Sequence, residues 1–255
     1  MLSAVILTFN EENNIAECID SAFKVADEVI VIDSHSTDKT VQIAQNKNAI
    51  VKSIEWKGWV VSRNEAILNI SFDHILFMDA DERLSTGLIQ SILTEKSKGF
   101  PSKVYSLQRL NHIGNKAIKH GAWFPDNKIR LYKKSEVIWK GGHVHEWADS
   151  GQIKAVSLNG FLLHYSYQNA RELRSKTKKY ALLAAQSLRT KPKVLLLVKM
   201  LFSPLFRFVR DYFFKSGYKD NREGFLIACQ SAREVFLKNK AALTGVRTQA
   251  ENNLA

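Results

Sequence analysis

The stretch "ILFMDADERL", residues 75–84, joins four apolar residues directly to three acids within four positions. The apolar run predicts a buried strand, and the acids Asp79, Asp81 and Glu82 repel one another unless positive charge lies among them. Ligands of open α/β sheets bind beyond the carboxyl ends of the strands. We therefore expect a cation site at the end of this strand. Alternatively, Asp81 and Glu82 begin the next helix, whose N-terminal dipole favours acids.

The residues around this stretch alternate between strand-like and helix-like patterns. Short apolar runs predict strands at residues 2–7, 29–32, 49–54 and 75–78. Helices are predicted over 13–26 and 59–70 and from about 36 to 45. The second of these in chain order would be capped by Ser36, Thr37 or Asp38. This order is typical of a doubly wound, mostly parallel α/β sheet with helices on both faces.

The pattern changes after about residue 100. Residues 101–168 alternate like antiparallel strands, which we expect to lie over the first sheet, with tryptophans among glycines and histidines. From Asn169 onward the sequence is helical and basic. We therefore predict one α/β domain over 1–168 and a helical extension over 169–255.

Composition excludes several classes of protein. With 45% hydrophobic and 24% charged residues the chain is globular, and its two cysteines, Cys18 and Cys229, are too few for a disulfide framework or a cysteine-rich zinc site. A reducing compartment is the default expectation. We interpret the N-terminal apolar run as a first strand and not as a signal peptide.

The net charge of +12 lies entirely in the last third of the chain. Residues 1–170 carry 19 basic and 19 acidic side chains, whereas residues 171–255 carry 18 and 6. An apolar run at 194–209 is interrupted by Lys199, Pro204 and Arg207, so it is too short and too charged for a membrane span. We predict that residues 191–214 form an amphipathic helix on an anionic membrane surface. The alternative is a helix packed on the domain with a solvated basic rim.

Nucleic acid is the other usual partner of a basic surface. No nucleic-acid-binding motif accompanies the charge, so we expect no nucleic acid partner.

Acids also follow the first two predicted strands. Strand one ends in Asn10-Glu11-Glu12 and strand two in Asp33, so both reach the edge of the sheet where Asp79 and Asp81 lie. Clustered carboxylates suit Mg²⁺ or Mn²⁺, which proteins often bind through one or two carboxylates together with substrate phosphates. The sequence therefore predicts a site for a divalent metal and a phosphate.

Four blocks in this order resemble the family 2 inverting glycosyltransferases: "AVILTFNEENNI", "DEVIVIDSHSTDKT", "VSRNEAI" and "ILFMDADE". The resemblance covers about residues 2–165. It implies a GT-A fold, with a nucleotide-sugar-binding half over 1–100 and an acceptor half over 101–168. Later blocks ("GAWFPDNKIRLYKK", "VHEW", "LHYSY" and "GYKDNREGFLIACQSAREVFLK") are similar to the lipopolysaccharide core β-1,4-glucosyltransferases. The chain departs from that group at His35 and Asn221, where glycine is usual.

The resemblance implies roles for the donor side of the site. Asp79 and Asp81 match the Asp-x-Asp pair, with Asp81 the better metal ligand and Asp79 a ribose or metal contact. Asp33 would bind uracil or ribose. Further donor contacts are expected from Thr8, Asn10, Glu11 and Arg63, of which Arg63 would pair with a phosphate. Asn10 and Glu12 have an alternative role as helix caps, Asp33 as a cap of the next helix, and Arg63 as a solvated residue of a helix face.

The same resemblance implies roles around the acceptor. Glu146 is the expected general base, and Asp126 is the second candidate, although we favour acceptor orientation for Asp126 with Arg130. His164 would contact the metal or the diphosphate unless it is a core histidine. His145 and Trp123 would contact the acceptor. His143 and His145 with Glu146 also resemble part of a zinc site, and Trp123, Trp139 and Trp147 are either a sugar-stacking surface or core.

These expectations describe a metal-dependent enzyme that moves a hexose, expected to be glucose from UDP-glucose, onto a lipopolysaccharide core sugar. It would act at the cytoplasmic face of the bacterial inner membrane on a lipid-anchored oligosaccharide, or on another surface polysaccharide or glycolipid. A nucleotidyltransferase and a non-enzymatic membrane scaffold are the alternatives. The first loop lacks the glycines of sugar-phosphate nucleotidyltransferases, which counts against that class.

Overall fold

The computed structural model describes residues 1–68, 70–141 and 146–245. Its strands are β1 (Leu2–Thr8), β2 (Glu28–Asp33), β3 (Ile50–Ser53), β4 (His74–Asp79), β5 (Glu82–Leu84), β6 (Val104–Ile113), β7 (Lys116–Ala117), β8 (Asp126–Lys133), β9 (Ile138–Gly141), β10 (Glu146–Asp149) and β11 (Val156–Tyr167). Its helices are α1 (Ile15–Ala22), α2 (Thr40–Asn46), α3 (Trp59–Ala66), α4 (Thr86–Ser97), α5 (Ala170–Ala185), α6 (Lys193–Val209) and α7 (Asn221–Thr244).

The main sheet confirms the predicted α/β class. Its strand order is β3-β2-β1-β4-β8-β6-β11-β5, with β7 paired to β6, and β9 and β10 form a separate hairpin. Strands β3, β2, β1 and β4 are parallel, as the alternating pattern of the first hundred residues predicts. We expected the later strands to lie over this sheet. They extend it instead, because β8 pairs antiparallel with β4.

Strands β1, β2 and β4 are buried on both faces, whereas β3 lies at the edge of the sheet and is partly exposed. Alternate residues of β1, such as Ala4 and Ile6, pack in a cluster with α1, α2 and α4. The intervening Val5 and Leu7 pack in a second cluster with α3 and the side chain of Trp139. This two-sided burial explains why these strands are continuous apolar runs without alternation.

Glu82 does not begin a helix. Strand β5 begins at Glu82, and α4 begins only at Thr86, after Ser85 accepts a hydrogen bond from the amide of Leu88. The helix-start alternative for Asp81 and Glu82 is therefore wrong.

The chain divides into two compact units. Unit 1 comprises Met1–Leu110 and Asp126–His164, and unit 2 comprises Asn111–Pro125 and Tyr165–Ala255. In unit 2, α7 packs against α5 and α6, and Ala185, Leu196, Ala241 and Ala242 form one of its small apolar clusters. Helix α6 contains Pro204 and continues as a short π-helical segment over Arg210–Phe214. Among the residues described, no helix is both long and apolar enough to cross a bilayer.

Two residues that replace glycines of the resembled group have positive φ angles. His35 has φ 63° and Asn221 has φ 54°. Residues other than glycine adopt positive φ uncommonly, although asparagine, aspartate and histidine do so more often than the rest, and glycine does so without steric cost. Both positions therefore have a backbone conformation that favours glycine, and this chain adopts it with other residues.

Candidate active site

The carboxyl ends of the parallel strands carry the first part of the site. In the strand register Thr8 lies beside Asp33, and Leu7 lies beside Asp79. Thr8 and Asp33 are buried, and the Thr8 hydroxyl has no hydrogen-bond partner among the described residues. This edge of unit 1 thus combines a hydroxyl with spare hydrogen-bonding capacity and two carboxylates.

The loop after β1 is tied to the loop after β2. Asn10 accepts a hydrogen bond from the amide of Thr37 at 2.8 Å, and Glu12 accepts one from the amide of Lys39 at 3.1 Å. Neither residue caps α1, so that alternative is wrong. Glu11 accepts from the Asn14 side chain at 2.7 Å. These contacts fix two neighbouring loops at the edge of the sheet.

Asp33 orders the loop that follows it. Its carboxylate accepts hydrogen bonds from the amide and the hydroxyl of Ser36, at 2.9 and 2.5 Å. The first residue of α2, Thr40, is instead bound by Asp38. A carboxylate held in this way is pre-oriented, and each oxygen retains further lone pairs for a ligand.

Asp79 is held between two arginines. Its carboxylate accepts from Arg63 Nη2 at 2.8 Å and from Arg130 Nη2 at 2.6 Å. Burial raises the pKa of Asp79, but Arg130 and Arg63 oppose this and hold the pKa well below its ordinary value of 3.8. Much of the positive charge that the clustered acids require is therefore supplied by arginine side chains.

Arg63 is buried, which contradicts the alternative of a solvated helix-face residue. Its guanidinium lies over the ring of Trp139 at 4.5 Å and that of Phe77 at 5.0 Å, and only 2% of the side chain is exposed. Nη2 lies 3.6 Å from Glu146 Oε1. The Nε and Nη1 groups have no hydrogen-bond partner in the described part of the chain. Arg63 is thus a fixed cation with donors to spare.

Glu82 is a site residue that sequence analysis did not assign. It is fully buried, and its carboxylate accepts from the Asp79 amide at 3.0 Å and from Arg130 Nη2 at 2.9 Å. Burial lowers the pKa of Arg130, but Asp79 and Glu82 outweigh it, so the pKa is raised. The signal was present in the three acids of residues 79–82, of which only two were given a ligand-binding role.

Asp126 and Arg130, which we expected to orient the acceptor, do not form an ion pair with each other among the described residues. Asp126 instead forms a two-nitrogen ion pair with Arg109 at 2.8 Å and lies 3.1 Å from Lys128. Burial raises the pKa of Asp126, but Arg109 and Lys128 lower it below its ordinary value. A carboxylate with a lowered pKa accepts a proton poorly, so this geometry counts against Asp126 as a general base.

Asp81 and His164 lie together. His164 Nε2 is 3.3 Å from Asp81 Oδ2, and the two side chains are 15% and 20% exposed. No group of three or more His, Cys, Asp or Glu side chains suited to a metal occurs among the described residues. A carboxylate and an imidazole nevertheless fit a divalent cation that takes its other ligands from a bound diphosphate and water.

Glu146 begins β10, and its side chain is 20% exposed. Its neighbour Trp147 is 54% exposed, which leaves its ring available to a sugar. His143 and His145, predicted to lie beside it, fall outside the described residues.

The other two tryptophans are packed in the protein. Trp139 is buried and donates to the Tyr132 hydroxyl at 3.0 Å, so its interpretation as a sugar-stacking residue is wrong. Trp123 belongs to unit 2, where its ring stacks on that of Tyr167 with centroids 5.4 Å apart.

Comparison with known proteins identifies the family. The model of the family described as "Glycosyl transferase family 2" matches residues 3–150. An uncharacterized glycosyltransferase of Rickettsia typhi is 29% identical over 93% of this chain and 85% of its own length. The lipopolysaccharide core biosynthesis glycosyltransferase LpsC of Rhizobium meliloti is 28% identical over 92% of this chain and 89% of its own.

Solved structures also match. Glucosyl-3-phosphoglycerate synthase of Mycobacterium tuberculosis, in complex with Mn²⁺ and UDP-glucose, is 24% identical over 44% of each chain, with a TM-score of 0.37. A mycobacterial protein covers 72% of this chain and 74% of its own at 18% identity, with a TM-score of 0.49. These two scores carry no inference about ligands. Because the family model matches more than half of the chain, the chain belongs to glycosyltransferase family 2 and is a glycosyltransferase with a GT-A-like α/β fold.

Proposed function

We propose that the chain transfers glucose from UDP-glucose to a core sugar of lipopolysaccharide, with inversion at the anomeric carbon. The observation that carries the donor side of this proposal is Arg63, a buried cation between Asp79 and Glu146 with two nitrogens that lack a partner. Such a group suits the diphosphate of a nucleotide sugar, because charge-assisted hydrogen bonds to a phosphate satisfy it. The relative of Rhizobium, whose name refers to the lipopolysaccharide core, supports the acceptor class.

The loops after β1 and β2 would bind the nucleoside. The unpartnered Thr8 hydroxyl and the oriented Asp33 carboxylate offer contacts to the base and the ribose hydroxyls, and Glu11 lies in the same loop as Asn10. Asn10 would act by bracing the loop through Thr37. Buried groups of this kind discriminate between ligands, because a wrong ligand leaves them unpaired.

Asp81 and His164 are the residues that would hold a divalent cation, Mg²⁺ or Mn²⁺. When bound, the cation would offset the charge that develops on the leaving diphosphate. Asp79 is already paired with two arginines, so we propose that it orders Arg63 and Arg130 and contributes less to the metal than sequence analysis implied.

Glu146 would be the general base. The acceptor hydroxyl attacks the anomeric carbon opposite the diphosphate, its proton passes to Glu146, and the bond from that carbon to the diphosphate oxygen breaks to release UDP. Help from a positioned base is worth roughly 10²–10⁴-fold in rate. Asp126 and the exposed ring of Trp147 would contact the acceptor, whereas Arg130 would act through Asp79 and Glu82.

We further propose that the enzyme works at the cytoplasmic face of the bacterial inner membrane, where a lipid-anchored oligosaccharide is its acceptor. The helical extension supports this through the strongly exposed apolar residues of α6, including Val194, Phe202 and Leu205 at 74%, 70% and 69%. Exposed apolar patches with a basic rim are typical of surfaces that bind anionic membranes.

The donor proposal is tested by calorimetry with UDP-glucose, with and without Mn²⁺, for the wild type and for Asp81→Asn. We expect binding that depends on the metal and that the substitution weakens at least about tenfold. Asp73→Asn, which removes an exposed carboxylate of the same unit, is the control. Release of pyrophosphate in place of UDP during turnover would favour the nucleotidyltransferase alternative, and metal-independent binding would contradict the role of Asp81.

A further inference from the structure

A groove of about 380 Å³ lies in unit 2 between α6, α7 and the short turn that precedes α6. Leucine and valine side chains form part of its wall, and polar groups come from Lys191, Lys199, Ser203, Lys238 and Asn239. Neither the family resemblance nor the transfer reaction assigns a role to these residues.

Three ammonium groups around this groove have no acidic partner among the described residues. No ion pair is formed by Lys191, Lys199 or Lys238 in the described part of the chain. The arginines at the other end of α6 differ, because Arg207 and Arg210 are paired with the buried Asp211 at 2.9 and 2.7 Å. Together Lys191, Lys199 and Lys238 give the groove a positive charge, which suits an anion.

Asn239 adds a second, independent feature. It is 2% exposed, and its amide nitrogen donates to the Val235 carbonyl at 2.7 Å. Its Oδ1 atom is buried and has no hydrogen-bond partner among the described residues. This oxygen only accepts, so it calls for a donor such as a hydroxyl and not for the phosphate oxygens that the lysines attract.

The groove adjoins the exposed apolar face of α6. Along this helix Val194, Val198, Leu201 and Leu205 recur at spacings of three and four, and they are between 47% and 74% exposed. Lys199 is the only charged residue in the segment 194–206. One helix therefore combines an apolar face with a cationic pocket at its side, an arrangement that fits the acyl chains and the head group of one lipid.

We propose that this groove binds the head group of an anionic glycerophospholipid that carries a free hydroxyl, as phosphatidylglycerol does. The phosphodiester would lie among Lys191, Lys199, Lys238 and the Ser203 hydroxyl, and a glycerol hydroxyl would donate to Asn239 Oδ1. The inference rests on the membrane attachment proposed above and adds to it a defined site with a chemical preference.

The test measures binding of the full chain to phosphatidylcholine vesicles that contain equal fractions of phosphatidylglycerol or of phosphatidylmethanol. Both lipids carry one negative charge, and only the first has head-group hydroxyls. We expect the wild type to prefer phosphatidylglycerol by about five- to tenfold, the effect of one buried hydrogen bond. Asn239→Leu should reduce binding to the phosphatidylmethanol level and abolish the preference.

Charge is tested separately by the triple variant Lys191→Gln, Lys199→Gln, Lys238→Gln. It should lose about 100-fold in partitioning, since each lysine near an anionic surface contributes about fivefold. The matched control neutralises Lys178, Lys179 and Lys219, which are exposed lysines of the same unit, and should lose much less. Replacement of the groove lysines by arginine should retain binding. Circular dichroism monitors folding, and the single substitutions replace the triple variant if it does not fold.

Several outcomes would overturn the proposal. Equal losses in the groove and control variants would show diffuse attraction and no site, and equal binding of the two lipids would remove the hydroxyl preference. Binding of soluble glycerophosphate as tight as binding of the lipid would identify a site for a free anion. If the wild type binds no anionic vesicle, the proposed membrane attachment fails as well. UDP release, measured with the same protein, reports separately on the transfer reaction.

Discussion

At the scale of single residues, the site is organised by arginines that divide its carboxylates by role. Asp79 is paired with Arg63, Glu82 with Arg130 and Asp126 with Arg109. Asp81 lies beside His164. Glu146 approaches Arg63 only to 3.6 Å. The carboxylates paired with arginines would position their neighbours, and we assign the chemistry to Asp81, beside His164, and to Glu146.

The two candidate bases can be separated by isosteric substitution. We expect Glu146→Gln to lower kcat by roughly 10²–10⁴-fold with donor binding retained, because it removes the proton acceptor. Asp126→Asn should cost less than about tenfold in kcat and should mainly raise the KM for the acceptor. Steady-state kinetics with coupled detection of UDP measures both. A larger loss of kcat in Asp126→Asn than in Glu146→Gln would reverse the assignment.

Glu82 is expected to act by positioning other residues. Glu82→Gln leaves Arg130 with one charged partner, and breaking a buried ion pair costs about 3 kcal/mol of the free energy of unfolding. The KM for the donor should also rise, because Asp79 and Arg130 lose their orientation. Urea titration and kinetics measure the two effects.

The control for this substitution is Glu65→Gln, which breaks the exposed pair with Lys57 and should change stability by less than about 1 kcal/mol. Equal effects of the two substitutions would remove Glu82 from the site.

Asp126 should also affect the pH dependence of stability. Its pKa is lowered in the folded state, so the unfolded chain binds the proton more readily. The stabilisation is therefore complete above the unfolded pKa, near 3.8, and is lost as the pH falls through the folded value. Between about pH 5 and pH 2 the free energy of unfolding should fall less steeply in Asp126→Asn than in the wild type.

Urea titrations across that range measure the slope, and Asp73→Asn is the control. Asp73 is 63% exposed and 3.8 Å from Lys134, so its removal should leave the slope close to that of the wild type. Unchanged slopes in both variants would mean that the pair of Asp126 with Arg109 adds no net stability.

At the scale of elements, the parallel half of the sheet is what the sequence predicts best. Strands β1, β2 and β4 contain contiguous apolar runs, and local pattern alone locates all four parallel strands to within one or two residues. The extension of the sheet by β8 depends on pairing between distant residues, such as Leu76 with Leu131, which no local pattern encodes. The predicted helix over 13–26 is shorter in the structure, where α1 ends at Ala22.

The residues of the candidate site also divide into those that local sequence predicts and those that depend on pairing between distant strands. The Asp-x-Asp pair and Arg63 could be assigned because they lie in contiguous blocks of sequence. The partners of Asp126 and Arg130 could not be assigned, because Arg109 reaches Asp126 across neighbouring antiparallel strands. The sheet register, which places Arg109 opposite Asp126, determines this ion pair.

The start of α7 carries a testable strain. Asn221 has φ 54° and ψ −129°, a combination that costs a residue with a side chain about 1–3 kcal/mol. Asn221→Gly should therefore raise the free energy of unfolding by about 1 kcal/mol, after the greater flexibility of glycine in the unfolded chain is subtracted. Thermal and urea unfolding measure it.

The control is Asn14→Gly, at a position with φ −119°, where glycine relieves no strain and removes the side-chain hydrogen bond to Glu11, so it should destabilise the protein. Equal losses of stability in both variants would mean that Asn221 is not strained.

At the scale of the whole molecule, charge and exposed apolar surface lie in the same part of the chain. Residues 171–255 carry 18 basic and 6 acidic side chains, and α6 in the same region exposes its apolar face. The neutral remainder contains the strand-end carboxylates and the arginines of the candidate site. The proposed catalysis and the proposed membrane attachment therefore belong to separate parts of one chain, and substitutions should affect them independently.

Attachment is best tested by point substitution, because α6 packs against α7 and removal of residues 191–255 would disrupt unit 2. Leu201→Gln, Phe202→Gln and Leu205→Gln together should lower partitioning onto anionic vesicles by more than about 100-fold, since each buried side chain contributes about 1.5–3 kcal/mol. Activity on a soluble acceptor fragment should not change, because these residues are exposed and belong to unit 2.

The matched control is Leu68→Gln with Ile138→Gln, two exposed apolar residues of unit 1, which should retain vesicle binding. Vesicle sedimentation at low and high salt separates the apolar contribution to attachment from the electrostatic one. The apolar variant should retain a weak binding that salt abolishes, because only electrostatic attraction remains. The lysine variants of the groove should retain a binding that depends less on salt than that of the wild type. If the triple apolar variant sediments like the wild type at both salt concentrations, the exposed face of α6 does not enter the membrane, and the charge of the last third must serve another partner.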